Sequence, residues 1–284
     1  MSVGVRTLAK SCVGKRLSDV PTPAFLVDKQ IVLNNCQNML KKCAELGIKL
    51  RPHVKTHKTE EAALLQTGGQ KKCITVSTFR EAEFFADCGW DDILLAFPLA
   101  PFHIGRAKSL ADHISTFHLL VDNVDSATAL AKSPIPAGKA SWSVFIKVDT
   151  GYARDLQQAS LYSCSLDDVA CRVMTRVIGH YQHRKQMLID CGFTGLTKQG
   201  LNANKFVAGY ALFENHPNLK LIEMSQEVGK VEGVDGNLDF DRYPIGTELF
   251  LYPYHACATA SQHPVYYIHK DGLVEEEWKP IRGW

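Results

Sequence analysis

The segment Arg51–Lys58, with the sequence Arg-Pro-His-Val-Lys-Thr-His-Lys, concentrates basic side chains. If it forms a strand, side chains alternate, so Arg51, His53 and Lys55 share one face. A lysine on the inner face of a packed barrel is costly to bury unless it is paired, neutral or covalently occupied. Two interpretations stay open. Lys55 is a Schiff-base lysine, or the strand ends at Val54 and the basic cluster is a solvated face or anion patch.

A second candidate is the stretch Pro253-Tyr-His-Ala-Cys-Ala258, in which His255 and Cys257 stand two residues apart. On a β-strand this spacing puts both side chains on one face, close enough to share a metal ion. Imidazole with thiolate is a zinc-type pair, and two protein ligands leave coordination positions for water or a substrate oxygen. The alternative is a chance spacing in which the cysteine is a small buried apolar residue.

Other polar positions carry weaker signals. His180 and His183 could reach a polar site, but exposed imidazoles at a strand end or turn explain them equally. Asp149–Tyr152 ends a barrel-type strand, where barrel enzymes place functional groups, or is an ordinary turn. The sequence contains no GxGxxG, Walker-type loop, HExxH or GxSxG motif. Dinucleotide, P-loop, zincin and nucleophile-elbow functions therefore have no sequence support.

The composition excludes several classes of protein. With 284 residues, 45% of them apolar and 22% charged, the chain has the balance of a globular protein. A net charge of +2 without a basic run argues against a nucleic-acid partner. No apolar run is long enough to span a membrane, and no signal peptide is visible. The nine cysteines form no CxxC pair, so we expect reduced thiols and a cytoplasmic location.

The elements that must position these residues alternate between strand and helix over the first half of the chain. Helices are predicted from the cap Asp28 to the stop at Gly47, from Glu60, from the capping box Thr78–Glu81, near His103, and over 123–132. Strands are predicted to start at Ile48, Cys73, Asp92, Phe117 and Trp142, after an earlier run at 23–27. This rhythm is typical of βα units around a parallel sheet.

From Cys171 the pattern changes to β alternation, with turn signals at Asp235-Gly236 and Asp271-Gly272. We therefore expect a second, mostly antiparallel β domain. The predicted organisation is a partial α/β barrel over 20–152, a junction over 153–168 and a β domain over 169–284.

Taken together, Pro21–Asp28, Arg51–Lys58 and the Pro253–Cys257 stretch closely resemble the eukaryotic D-serine dehydratase family, which is related to D-threonine aldolases and alanine racemases. The closing Pro280–Trp284 belongs to the same likeness. The resemblance implies an alanine-racemase-type (fold type III) enzyme, with an N-terminal (β/α)8 barrel, a C-terminal β domain and a homodimer. The implied cofactors are pyridoxal 5'-phosphate and Zn2+.

In this resemblance Lys55 matches the Schiff-base lysine, and His255 with Cys257 match the zinc ligands. His53, beside Lys55, is expected to contact the cofactor. The implied reaction converts D-serine to pyruvate and ammonia, with Lys55 removing the Cα proton and zinc activating the β-hydroxyl as a leaving group.

The chain departs from the family in length. A closed barrel needs eight strands, whereas only five βα units are predicted, so about three units, roughly 90 residues, are missing at the junction. The missing stretch holds the family's phosphate-binding loops, so we expect a shortened variant, with loss of activity as one outcome. The alternatives are a D-threonine aldolase-like enzyme and a non-catalytic remnant that dimerises with the full-length enzyme.

Overall fold

The computed structural model describes residues 11–147, 164–201 and 209–284. Its helices are α1 (Lys29–Glu45), α2 (Glu60–Gln66), α3 (Phe79–Asp87), α4 (Ile104–His113), α5 (Val124–Ala131) and α6 (Ala256–Ala260). Its first strands are β1 (Ala24–Asp28), β2 (Lys72–Val76), β3 (Asp91–Pro98), β4 (Phe117–Val121) and β5 (Ser143–Ile146). Then follow β6 (Cys171–Tyr181), β7 (Gln186–Ile189), β8 (Ala211–Phe213), β9 (Leu219–Met224), β10 (Gly229–Gly233), β11 (Glu248–Pro253), β12 (Tyr266–Lys270) and β13 (Leu273–Trp278).

The chain forms two compact units that are interleaved in sequence. The parallel-sheet unit comprises Ile31–Asp168, His255–Pro264 and Lys279–Trp284. The mixed-sheet unit comprises Met1–Gln30, Val169–Tyr254 and Val265–Trp278. The predicted class, βα units followed by a β domain, is confirmed by these two sheets.

In the parallel-sheet unit, β2, β3, β4 and β5 pair in that order and all run parallel. One face of the sheet packs on α3 and α4 through a core that includes Phe85, Trp90 and Leu95. The capping box is confirmed: Thr78 Oγ1 accepts from the Glu81 amide at 3.1 Å and opens α3. Gly47, at φ +64°, follows α1 as predicted.

The predicted strand from Ile48 to Val54 is wrong. Within this stretch the structure has only an isolated bridge between His53 and Thr75. Two hydrogen bonds form it, from the Val54 amide to the Thr75 carbonyl and from the Thr75 amide to the Pro52 carbonyl. Pro52 has no amide hydrogen and Ile48 is exposed, so neither hydrogen bonding nor burial extends the ladder toward residue 48.

The far side of the parallel sheet ends at β5. In the described residues β5 pairs only with β4, and all four of its residues are exposed, Ile146 to 78%. Next to it lies an apolar hollow of about 280 Å³, lined in part by Leu130, Trp142 and Val144. No further strand or helix of the described chain covers this edge, which has the form of a sheet that stops before it closes.

The mixed-sheet unit has the strand order β13-β12-β1-β6-β7-β10-β9, with β11 pairing both β6 and β8. β1 runs parallel to β12 and antiparallel to β6, so the first predicted β run lies in this sheet and not beside β2. The Asp271-Gly272 turn joins β12 to β13, and both residues have positive φ, as a type I′ hairpin requires. Among the described residues, no helix is both long and apolar enough to cross a membrane.

Candidate active site

The loop that carries Lys55 lies in the parallel-sheet unit, directly after the bridge at His53. Arg51 pairs with Asp92 at 2.5 Å, and Lys58 pairs with Glu81 at 3.0 Å. The Lys55 side chain is exposed and has no ion-pair partner among the described residues. Of these three cations, Lys55 is therefore the one whose amine is available to react with an aldehyde.

His53 adjoins the amine-bearing residue through its ring. The Lys55 amide donates to Nδ1 of His53 at 3.3 Å, so Nε2 is assigned the proton and donates to Ser77 Oγ at 3.3 Å. Burial, followed by the positive charge of Lys55, lowers the pKa of His53 to about 4. A neutral imidazole thus lies beside Lys55 at neutral pH.

Lys58 closes this loop and is held from several sides. Its backbone has φ +54°, its amide donates to the Val54 carbonyl at 2.8 Å, and its ammonium pairs with Glu81. Glu81 is only 1% exposed and also accepts from the Ser77 amide at 3.0 Å. One buried carboxylate therefore binds the two residues that lead into α3 and anchors the loop of Lys55.

His57 has a structural role within the same loop. The Thr59 amide donates to its Nδ1 at 3.1 Å, which leaves Nε2 to donate to Gln66 Oε1 at 3.1 Å. Burial lowers the pKa of His57 to about 4, so both rings of the segment are neutral at pH 7.

The predicted metal pair also lies in the parallel-sheet unit. The expectation that His255 and Cys257 share the face of a strand is wrong, because β11 ends at Pro253. His255 is instead the extended N-cap residue of α6, and Cys257 lies in its first turn. Cys257 Sγ is 2.9 Å from Thr56 Oγ1. The motif residue Cys257 therefore contacts the neighbour of Lys55.

A polar network that no sequence motif indicated lies at the start of the strands of the parallel sheet. Asp92 accepts from Arg51, from Cys73 Sγ at 2.9 Å and from His118 Nε2 at 2.9 Å, and the other ring nitrogen of His118 is 2.7 Å from Ser143 Oγ. Although burial acts to raise it, the hydrogen bonds from Cys73 and Arg51 hold the pKa of Asp92 below its ordinary value. The network joins the start of all four strands. Polar residues at the beginning of β-runs were its only sequence signal.

His180 lies in β6 of the mixed-sheet unit, where its Nε2 donates to the Tyr243 carbonyl at 2.7 Å. Asp149–Tyr152 lies outside the described residues.

The residues fit the reactive end of pyridoxal phosphate. Lys55 offers an exposed amine and His53 a neutral ring beside it. Of the amides at the start of α3, which could receive a phosphate, that of Glu81 already donates to Thr78 Oγ1, and the Ser77 amide just before the helix donates to the Glu81 carboxylate. For zinc, imidazole and thiolate are suitable donors. In the described ranges no cluster of three or more candidate metal ligands occurs, so the protein offers at most a two-ligand site there.

Comparison with family models divides the chain in two. Residues 27–155 match the model described as "Alanine racemase, N-terminal domain", and residues 170–269 match the model described as "Putative serine dehydratase domain". The 14 or so residues between the matches overlap the predicted junction at 153–168.

The chain is similar to curated proteins named D-serine dehydratase. It is 24% identical to the one from Dictyostelium discoideum over 390 aligned residues, which cover 94% of this chain and 98% of the relative. Because 94% of 284 residues is about 267, more than 100 aligned positions of the relative have no counterpart here. It is 35% identical to the Schizosaccharomyces pombe protein over 161 residues, which cover 54% of this chain and 39% of that relative.

Among solved structures, the chain resembles D-threo-3-hydroxyaspartate dehydratase from Delftia sp. HT23, with a TM-score of 0.81 and 24% identity. The match covers 95% of this chain and 100% of the other. The likeness shows that the two chains share a fold.

Proposed function

We propose that the chain is a shortened D-serine dehydratase-like lyase that uses pyridoxal phosphate and zinc, on the basis of its two family-model matches and its similarity to curated D-serine dehydratases. Its reaction is the conversion of D-serine to pyruvate and ammonia. The observation that carries the proposal is the 2.9 Å contact between Thr56 and Cys257, since it brings the loop of Lys55 to the proposed metal motif.

Lys55 is the proposed catalytic residue. Its exposed amine is free of carboxylate partners in the described chain, so it can bind the aldehyde of the cofactor and later accept a proton from Cα of the substrate at Nζ. The cofactor, when bound, supplies the electron sink that acidifies this Cα–H bond. The neutral ring of His53 adds no positive charge next to Lys55.

His255 and Cys257 are the proposed zinc ligands. A zinc ion held by them would act as a Lewis acid on the β-hydroxyl of the substrate, which makes the hydroxyl a better leaving group. Thr56 contacts the sulfur and can donate a hydrogen bond to the thiolate, which orients it for coordination.

Weak anchoring of the cofactor phosphate is part of the proposal. In the first turn of α3 the Glu81 amide is already bonded to Thr78, and more than 100 positions of the Dictyostelium relative are absent. We propose that Lys55 forms the covalent link while the affinity for the cofactor and the turnover are lower than in a complete relative.

The test is covalent trapping. The purified chain is incubated with pyridoxal phosphate, reduced with borohydride and digested, and the modified lysine is identified by mass spectrometry. We expect the label on Lys55, its loss in Lys55→Ala and its retention in Lys72→Ala, which removes another exposed lysine of the same unit. Pyruvate release from D-serine, measured before and after zinc removal, tests the reaction. Labelling spread equally over surface lysines would contradict the assignment of Lys55, and labelling without pyruvate would support the non-catalytic alternative.

We also propose a homodimer and a cytoplasmic location. All nine cysteines are free thiols, which suits a reducing compartment. Size-exclusion chromatography with light scattering tests the first proposal, and fluorescence microscopy of a tagged chain tests the second.

A further inference from the structure

The segment Pro280–Trp284 reaches both parts of the proposed site. The Ile281 amide donates to the Lys58 carbonyl at 2.9 Å. The next residue, Arg282, donates through Nη2 to the carbonyl of Ala260 at 2.8 Å and to the carbonyl of His263. Two adjacent residues thus hold the loop of Lys55 on one side and the end of α6 on the other.

Arg282 donates to two carbonyls at and just after the C-terminal end of α6, where a cation is a suitable partner. Ala260 is the last residue of α6 and is 1% exposed, and His263 is 6% exposed. The Ala260 carbonyl, which also accepts from the His263 amide at 3.1 Å, lies at the end of α6 where the helix dipole places partial negative charge, and the His263 carbonyl lies three residues beyond the helix. A half-buried guanidinium therefore fixes the end of the short helix whose first turn contains Cys257.

The second contact of this segment, from the Ile281 amide to the Lys58 carbonyl, is made to a residue that is itself firmly held. Lys58 is already fixed by Glu81 and by the Val54 carbonyl, so Ile281 binds to a rigid point of the loop. Thr56, two residues before Lys58 in the same loop, contacts Cys257 in the first turn of α6. If α6 moved away from the loop of Lys55, the Thr56 hydroxyl and the Cys257 thiol would separate.

We infer that Arg282 is a positioning residue for the proposed metal motif: it holds α6 so that Cys257 stays against Thr56 in the loop of Lys55. This inference rests on the proposed function for the role of Cys257 as a ligand. The arrangement itself can be measured without metal, cofactor or turnover.

The experiment measures alkylation of individual cysteines by iodoacetamide in the metal-free full chain. We expect Arg282→Met to raise the alkylation rate at Cys257 at least about fivefold, Arg282→Lys to give an intermediate rate, and Lys279→Met to leave it unchanged. Lys279 is an exposed cation just before the same segment and controls for loss of charge. The fully buried Cys191 reports unfolding, since it reacts only when the protein opens.

A rate at Cys257 that stays within twofold of the Lys279→Met control would overturn the inference. If Arg282→Met also raises the alkylation rate of Cys191, the test uses Arg282→Lys instead. In that variant the inference requires faster alkylation of Cys257 without faster alkylation of Cys191. An unchanged rate at Cys257 again overturns the inference. Zinc affinity, measured by competition with a chromophoric chelator, should fall about tenfold in Arg282→Met. Absence of zinc binding in the unsubstituted chain would contradict the proposed metal site and leave the alkylation result to decide the role of Arg282.

Discussion

The hydroxyl of Thr56 lies 2.9 Å from the sulfur of Cys257, although the two residues are 201 positions apart in sequence. The contact joins two segments that each looked ambiguous alone. If Cys257 is a zinc ligand, a hydrogen bond from the threonine hydroxyl should orient and stabilise its thiolate.

Replacing Thr56 should therefore weaken metal binding. We expect Thr56→Val to reduce zinc affinity roughly tenfold to a hundredfold, and Thr56→Ser to retain most of it, because serine keeps the hydroxyl. Competition with a chelator provides the measurement. Equal affinities for the valine and serine variants would show that the hydroxyl of Thr56 does not contribute to metal binding.

Glu81 should be important for stability because a single buried carboxylate serves Lys58, the Ser77 amide and the cap of α3. We expect Glu81→Ala to lower the free energy of unfolding by about 2–4 kcal/mol, since it leaves Lys58 unpaired and removes the acceptor of the Ser77 amide. The control Glu83→Ala breaks a more exposed pair with Arg106 and should cost roughly 0.2–1 kcal/mol. Urea unfolding measures both, and similar costs would refute the special role of Glu81.

The stability of the chain should fall as the pH is lowered from about 6.5 to about 4. The pKa of His57 is lowered from its ordinary 6.5 to about 4, so in this interval the unfolded chain binds a proton that the folded chain does not. The stabilisation that the neutral His57 ring contributes is complete above its ordinary pKa of 6.5, and it is lost as the pH falls to its folded-state pKa of about 4.

Urea unfolding at several pH values tests this dependence. His57→Asn should make the slope shallower by roughly 1 kcal/mol per pH unit, while His53, whose pKa is lowered in the same way, preserves part of it. A slope that is unchanged in His57→Asn would show that the ring is protonated in the folded chain.

The edge at β5 should promote self-association. We expect light scattering to show association that increases with protein concentration, because β5 is exposed and carries apolar side chains beside an unpaired edge of the described sheet. Ile146→Lys should reduce it at no cost to folding. Val124→Lys is a matched control, since Val124 is also 78% exposed but lies at the start of α5. Equal association of the two variants would place the contact elsewhere.

Local features of the fold were predictable because they depend on residues close in sequence. The capping box at Thr78, the stop at Gly47 and the hairpin at Asp271-Gly272 were all read from spacing of a few residues. The pairing of β1 with β12 was not, because a five-residue apolar run carries no information about its partner.

In the candidate site, too, the local features were predictable and the long-range contacts were not. The residue types at Lys55, His255 and Cys257 suggested their chemistry, but alternation placed the last two on a strand that ends at Pro253. Thr56, Glu81 and Arg282 act through contacts to distant segments, and nothing in their immediate sequence distinguishes them from ordinary polar residues. Such long-range contacts are set by packing and not by local propensity.

The interleaving of the two units has a consequence during protein synthesis. When Pro264 has left the ribosomal exit tunnel, the residues of α6 have emerged. Lys279–Trp284, which belong to the same parallel-sheet unit, have not yet emerged. The mixed-sheet unit is equally incomplete, because β12 and β13, which continue its sheet beyond β1, follow residue 264. Neither unit can be completed before its C-terminal segment has been synthesised, so both mature only after translation has passed the final strand.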